Sequence, residues 1–293
     1  MKLISKTTGT FKSFDGTKIY YETRGEGHPI VMAYGIGCLI NHWQPQIKTF
    51  SENYKTVVFD YRAHHRSDIP QDHSQISIEA LAKDIIALCH HLELPPASFW
   101  GHSFGTQVLL KTYDLAPEIF HNMVNINGFA SDPIQGMFGN GVASKLFEFI
   151  KGGFDTAPET LTYLWKLAVN NPLAIHTSAL LGGFNINLTA LKDIEIYSKG
   201  VASMDLNAFL RLFEDMMKYD ARPVYEKVKV PTLVIGGKKD SVTPQKYQEE
   251  MHLRIHDSQF LMVPYGSHCT QLDMPDLVNL RIQKFLKDCG YSA

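Results

Sequence analysis

Long hydrophobic runs are missing from this chain of 293 residues, and no stretch approaches the roughly 20 consecutive apolar residues that cross a bilayer. The beginning, Met1-Lys2-Leu3-Ile4-Ser5-Lys6, turns polar before it reaches the apolar core of a secretory signal, so a cytoplasmic protein with no membrane span is expected. Cysteine is scarce as well. Cys38, Cys89, Cys269 and Cys289 are scattered with no CxxC pair, which argues against a disulfide framework and against a zinc site; four reduced thiols are expected. Neither charge is in surplus: 28 Lys and Arg stand against 30 Asp and Glu, with no block of like charge, so the basic excess that grips a phosphate backbone is absent and nucleic acid is not an expected partner. Glycine and proline, at 21 and 14, are too few for a fibrous chain, while 44% hydrophobic and 20% charged residues are too apolar for a disordered one. What is left is a globular chain with a sizeable core, and its length fits one large α/β domain carrying an insertion.

Strand and helix signals alternate. Thr10 to Ser13 and Lys18 to Thr23 flank Asp15-Gly16, a pair suited to a tight hairpin turn. Ile30 to Ala33 and Thr56 to Phe59 are short apolar runs without polar alternation, the mark of strands buried on both faces. Leu81, Ile85, Leu88 and Leu92 recur at helical spacing behind the N-cap candidate Ser77, and Pro95-Pro96 stops the helix. A buried strand at Ala97 to Trp100, a helix from Phe104 to Leu115 and a strand at Asn122 to Asn127 follow. This alternation belongs to a parallel sheet with crossover helices. Between about Ser131 and Asp220 it gives way to helical patterns, then resumes with a strand at Thr232 to Ile235, a helix at Gln245 to Arg254, a strand at Gln259 to Val263 and a last helix at Pro275 to Lys287. The expected organisation is a core of residues 1–130 and 221–293 with a helical insertion at 131–220. Phe147, Leu164, Trp165, Phe184, Phe209, Phe213, Met216 and Met217 of that insertion could line a pocket, although helical spacing more often marks core packing.

The segment Gly101-His102-Ser103-Phe104-Gly105 places G-x-S-x-G between a buried strand and a helix, which is the context a nucleophile elbow requires. Small neighbours leave room for the crowded turn, and the helix N-terminus favours developing negative charge near the hydroxyl. A serine hydroxyl is a weak nucleophile at neutral pH and needs a base that a third group orients. Asp240 follows the strand Thr232 to Ile235, and His268 follows the strand Gln259 to Val263. The order Ser103, Asp240, His268 is the one in which an acid and a base follow an elbow serine on such a sheet.

With those residues in view, the chain resembles the α/β-hydrolase fold superfamily, in its serine-nucleophile branch that bears a cap. Tyr34-Gly35-Ile36-Gly37 is similar to the family's oxyanion loop, commonly written His-Gly, and Asp60-Tyr61-Arg62-Ala63-His64-His65-Arg66-Ser67-Asp68 to its Asp-x-Arg-Gly-x-Gly-x-Ser stretch. The surroundings of Asp240 and the Gly-x-His ahead of Pro275 also match. Two departures stand out: Tyr34 replaces the common histidine, and Ala63 with His65 replace glycines, which would reshape a supporting loop. The resemblance implies an α/β-hydrolase fold with a mostly parallel sheet and a helical cap at 131–220. It implies Ser103, His268 and Asp240 as catalytic triad, and the backbone amides of Ile36 and Phe104 as oxyanion hole, donors that tolerate a change of side chain at Tyr34. Tyr34, His102, Trp165 and Phe213 are the expected substrate contacts, with no metal and no cofactor.

The activity this points to is hydrolysis of an ester or lactone of a small, moderately hydrophobic substrate through an acyl-enzyme. Serine at the elbow argues against the epoxide hydrolase and haloalkane dehalogenase branches, whose nucleophile is a carboxylate. Carbon-carbon cleavage or perhydrolysis by the same triad stays open, as does a slow-turnover ligand-binding signalling protein on the same fold. The sequence does not fix the substrate or the oligomeric state. Cys38 and Cys269, beside the oxyanion loop and the base, should lie within roughly 10 to 12 Å of Ser103.

Overall fold

The computed structural model describes residues 4–134, 142–169 and 183–292. Eight strands form one sheet in the order β1-β2-β4-β3-β5-β6-β7-β8. They are β1 (Lys6–Lys12), β2 (Lys18–Arg24), β3 (Pro29–Ala33), β4 (Lys55–Phe59), β5 (Ala97–His102), β6 (Phe120–Ile126), β7 (Thr232–Gly237) and β8 (Ser258–Val263). β1 and β2 are an antiparallel hairpin and β2 runs antiparallel to β4; every other pairing is parallel. The fold is thus a mostly parallel α/β sheet flanked by helices.

Strands β3, β5 and β7 are buried at every position, which explains why their sequences are continuous and lack alternation. β1 starts at Lys6, four residues before the signal read from sequence. Its outer residues are mostly exposed and polar, so only its pairing with β2, and no apolar pattern, makes it a strand.

The helices of the parallel part are α1 (Gln44–Phe50), α2 (Ile78–His91) and α3 (Phe104–Leu115). The Ser77 hydroxyl accepts from the Ala80 amide at 3.2 Å and caps α2, which ends four residues short of Pro95 with Glu93 in a left-handed turn at φ 49°. Between β6 and β7 lie four described helices, α4 (Val142–Thr156), α5 (Pro158–Val169), α6 (Leu191–Ser203) and α7 (Leu206–Lys218). The expected helical insertion also includes 135–141 and 170–182, which fall outside the described residues. The sheet is completed by α8 (Lys246–Arg254), the short α9 (Thr270–Asp273) and α10 (Pro275–Asp288). No helix among the described residues is long and apolar enough to cross a membrane.

Two tryptophans fix the middle of the core. Trp100 on β5 is fully buried, meets Phe50 edge-on at 4.7 Å between ring centroids, and donates its indole N–H to Ser98 Oγ at 2.7 Å. Trp43, just ahead of α1, lies 6.4 Å from it. A buried indole with its one donor satisfied contributes apolar area without leaving a polar group stranded.

Candidate active site

The end of β5 carries the site. Ser103 sits between strand and α3 with φ 54° and ψ −122°, a conformation that costs a non-glycine residue on the order of 1 to 3 kcal/mol. The surroundings hold it there: its amide donates to the Ile126 carbonyl of β6 at 3.0 Å, and its carbonyl accepts from the Thr106 amide at 2.9 Å. The flanking glycines have a steric reason. A Cβ on Gly105 would lie 2.3 Å from the Ala33 carbonyl oxygen of β3, and one on Gly101 would lie 2.9 Å from the Thr106 nitrogen. Strand, helix and neighbouring strand approach too closely at this turn for any side chain at either position.

From Ser103 a continuous chain of hydrogen bonds runs into the protein. His268 Nε2 is 2.8 Å from Ser103 Oγ, and His268 Nδ1 is 3.0 Å from Asp240 Oδ2. With a carboxylate facing Nδ1, the proton belongs on Nδ1, which leaves the Nε2 lone pair to accept from the serine hydroxyl. The Asp240 carboxylate is fully engaged. Oδ1 accepts from the amides of Val242 at 2.9 Å and Thr243 at 2.8 Å, and Oδ2 accepts from Asn127 Nδ2 at 2.8 Å. Thr243 Oγ1 lies 2.8 Å from Oδ2 and 3.2 Å from His268 Nδ1. Burial by itself would raise the Asp240 pKa, but the imidazole of His268 and the hydrogen bonds from His268 and Thr243 outweigh it and hold the carboxyl below its ordinary value. An ionised carboxylate in this position can stabilise a positive charge on the imidazole.

The loop after β3 passes over the elbow. A Cβ on Gly35 would stand 3.3 Å from each of Ser103 Cβ, Cys38 Sγ and His102 Nδ1, so this loop needs glycine to lie against the serine. Among the described residues, neither the Ile36 amide nor the Phe104 amide donates to another group. Three ties from the segment after β4 hold the loop. The Tyr34 hydroxyl donates to Asp60 Oδ1 and accepts from the Tyr61 amide, both at 3.2 Å. The Gly37 amide donates to His64 Nε2 at 3.4 Å, and His65 Nε2 donates to the Cys38 carbonyl at 2.8 Å. Ala63 and His65, at φ 58° and 45°, adopt the left-handed conformation that glycine holds without strain.

Ser103, Asp240 and His268 thus meet, all nearly buried. Tyr34 and His102, expected to touch substrate, do not present a surface for it: each is 1% exposed. Tyr34 anchors the loop through its hydroxyl, and His102 Nε2 donates to the His268 carbonyl at 2.8 Å, so both position other groups. Trp165 and Phe213 are half-buried members of an aromatic row in which Trp165 meets Phe209 at 5.7 Å, Phe209 meets Phe213 at 5.6 Å and Phe213 stacks on Phe147 at 5.1 Å. Phe209 is the ring of that row whose edge reaches the Gly37 loop, 3.7 Å from that residue's Cβ position, next to Val201 and Met204. Of the other pocket candidates, Phe184 packs with Ile194, Cys269 and Leu272, while Leu164 is 51% exposed. Cys38 and Cys269 are both buried; Cys38 Sγ and Ser103 Cβ each lie 3.3 Å from the Cβ position of Gly35, and Cys269 packs with Phe184, Ile194 and Leu272. Two supporting residues were missed in the sequence: Asn127 and Thr243. Asn127 directly follows β6 with φ 50°, a conformation asparagine tolerates better than most, and nothing local marks it as a partner of a residue 113 positions later.

A family model described as the alpha/beta hydrolase fold matches residues 28–275. The chain belongs to the α/β-hydrolase fold family. Among curated relatives, it is 24% identical over 274 residues to the protein named "Putative carbamate hydrolase RutD" of Azorhizobium caulinodans, covering 93% of this chain and 95% of that one. It is also 24% identical over 280 residues to 3-oxoadipate enol-lactonase 2 of Acinetobacter baylyi, covering 91% and 92%. Among solved structures, an esterase from Exiguobacterium antarcticum superposes with a TM-score of 0.75 at 20% identity, over 95% of this chain and 98% of the other. The family's glycine positions in the Asp60–Asp68 segment are filled here by residues that keep a glycine-like backbone.

Proposed function

We propose that this member of the family is a serine hydrolase that cleaves an ester, enol-lactone or carbamate-like acyl bond through an acyl-enzyme. The observation that carries the reading is the unbroken path Ser103 Oγ to His268 Nε2 and His268 Nδ1 to Asp240, at 2.8 and 3.0 Å, beside two backbone amides with no partner among the described residues.

In this reading His268 accepts the Ser103 proton as Oγ attacks the carbonyl carbon, and Asp240 holds the resulting imidazolium. The amides of Ile36 and Phe104 receive the tetrahedral oxyanion. Donors fixed in place before the charge develops are each worth about 3 kcal/mol of barrier. The imidazolium then returns the proton to the leaving oxygen or nitrogen, and water deacylates the serine by the same route in reverse. Strain at Ser103 keeps Oγ lifted toward the carbonyl in every step.

The helices between β6 and β7 act as the cap. Val201, Met204 and Phe209 stand above Gly37, and Arg211 is the sole arginine of residues 131–220, so the pocket suits a neutral, moderately apolar acyl group and not an anionic head group. The relatives' names support the bond class: a carbamate hydrolase and an enol-lactonase both break a carbonyl bond to a leaving heteroatom.

The test is a series of p-nitrophenyl esters of increasing acyl length, an enol lactone and an aryl carbamate, assayed with the wild type and Ser103→Ala, together with an alkyl phosphonate probe. Stoichiometric labelling at Ser103 and loss of at least about a thousandfold in rate for Ser103→Ala are expected. An adduct on a cysteine, or undiminished turnover by Ser103→Ala, would sink the assignment.

A further inference from the structure

Behind the imidazole of His268 lies a second cluster that the hydrolytic chemistry does not use. Cys38, His42 and His102 come from the β3 loop, the turn ahead of α1 and the end of β5; each has a donor atom within 4.8 Å of the other two, and all three residues are buried. His42 is fully inaccessible, and neither of its ring nitrogens has a partner among the described residues. His102 spends Nε2 on the His268 carbonyl, so its Nδ1, which has no partner among the described residues, is a bare lone pair. A polar ring left unmatched in the interior is unusual enough to ask what it binds.

We propose that Cys38, His42 and His102 form a binding site for a soft monovalent metal ion, Cu(I), that regulates the neighbouring serine site. The donor set, one thiolate and two imidazoles with no carboxylate, is that of a thiophilic ion. Ligands about 2.0 to 2.3 Å from a metal stand roughly 3.3 to 4 Å apart, so the cluster closes around an ion with shifts of about 1 Å. Charge selects the monovalent ion. One thiolate neutralises Cu(I) completely, whereas Zn(II) would leave a net positive charge in a fully buried space and lack its usual fourth ligand. On binding, the Cys38 S–H bond breaks, the proton passes to solvent and a Cu–S bond forms, with no change of oxidation state.

Ligation reaches the serine site through two bonds. The Cys38 amide closes the oxyanion turn on the Gly35 carbonyl at 3.0 Å, and His102 holds the carbonyl of His268 at 2.8 Å. Drawing Cys38 and His102 together displaces the Ile36 amide or the base. The loaded protein is therefore expected to be inhibited. This second part rests on the hydrolase reading, whereas binding does not.

The full chain is titrated anaerobically with Cu(I) against a chromophoric chelator, and retained metal is counted after gel filtration. One copper per chain is expected, with affinity falling by at least about tenfold in Cys38→Ser and in His42→Phe. X-ray absorption of the loaded wild type, which needs no variant to fold, should report one sulfur and two nitrogens. Equal retention by wild type and both variants, a two-sulfur shell that recruits Cys269, or preferential retention of Zn(II) would each overturn the site. If copper binds as stated and hydrolysis is unaffected, regulation is refuted; if no ester, enol lactone or carbamate is hydrolysed with or without copper, the proposed function fails while the site stands.

Discussion

Acid should destabilise this protein well above the range in which its carboxylates protonate, because three histidines are locked inside it as neutral rings. His42, His64 and His102 are at most 1% exposed. Burial, followed by the nearby His268, pushes His42 down to about 3; burial also takes His64 to about 3, against the opposing bond to the Arg62 carbonyl. His102 is driven well below its ordinary value by burial and by His268 and His42. In the unfolded chain each ring titrates near 6.5. A base whose pKa is depressed by folding leaves stability intact above its unfolded pKa and takes it away as pH falls, since only the unfolded chain gains the proton. Each ring removes about 1.4 kcal/mol between pH 7.5 and 5.5, so the three remove roughly 4 kcal/mol, against a typical total of about 5 to 15. Asp240 is held below its usual pKa and joins only at lower pH. Asp84 and Asp273, both raised by burial, act in the opposite sense, and two groups do not offset three. Urea unfolding followed by tryptophan fluorescence, in the presence of a chelator, measures this at pH 7.5, 6.5 and 5.5. His42→Phe removes a ring with no hydrogen-bond partner among the described residues and should reduce the loss by about a third. Equal unfolding free energies at pH 7.5 and 5.5 would refute the reasoning.

Asp240→Asn should keep the fold and reduce ester turnover by on the order of a thousandfold or more, because an amide no longer holds the imidazolium; a rate within about tenfold of wild type would place the orienting acid elsewhere. Gly105→Ala should cost more than about 3 kcal/mol, since its Cβ would stand 2.3 Å from a backbone oxygen that cannot swing away. Gly152→Ala, whose Cβ meets nothing within 4 Å inside α4, should instead be neutral or stabilising by up to about 1 kcal/mol, and thermal melts that ranked the two variants alike would contradict the packing argument. Ala63→Gly relieves a left-handed φ of 58° and should raise the melting temperature by about 2 °C after the added freedom of the unfolded chain is counted; a lower melting temperature would show that the methyl group matters more than the strain.

The parallel strands were legible because each is buried on both faces, so composition alone marks them; Pro29–Ala33 and Thr232–Gly237 have no exposed residue. The elbow was legible because a tight turn restricts residue types over only five positions. Partners that meet from afar left no such trace. Asn127 and Asp240, or Cys38 and His102, become neighbours only when separate strands align, and a spacing rule cannot see across 113 or 64 positions. Their position in the sequence, next to Gly35 and Ser103, suggests Tyr34 and His102 as substrate contacts. On a strand or a tight loop, however, adjacent side chains point to opposite sides, and these two point inward.

The departures at Tyr34, Ala63 and His65 become intelligible together when the loop after β3 is considered as a mechanical part. In the proposed reaction an amide offered to an oxyanion works only if it does not move as charge develops, so the loop that carries Ile36 would have to be fixed from outside. Tyr34 fixes its start through Asp60 and Tyr61, and His64 fixes Gly37. His65 fixes the end through the Cys38 carbonyl, a bond that only a side chain at that position supplies and that glycine could not make. Holding Ala63 and His65 left-handed costs roughly 1 to 2 kcal/mol each. The second of these costs is offset in part by a hydrogen bond of 2.8 Å in a partly buried place, which ties one strained turn directly to the loop that the chemistry needs rigid. In the proposed reaction the segment after β4 would therefore act without touching substrate, by holding the loop that carries Ile36 through Tyr34, His64 and His65.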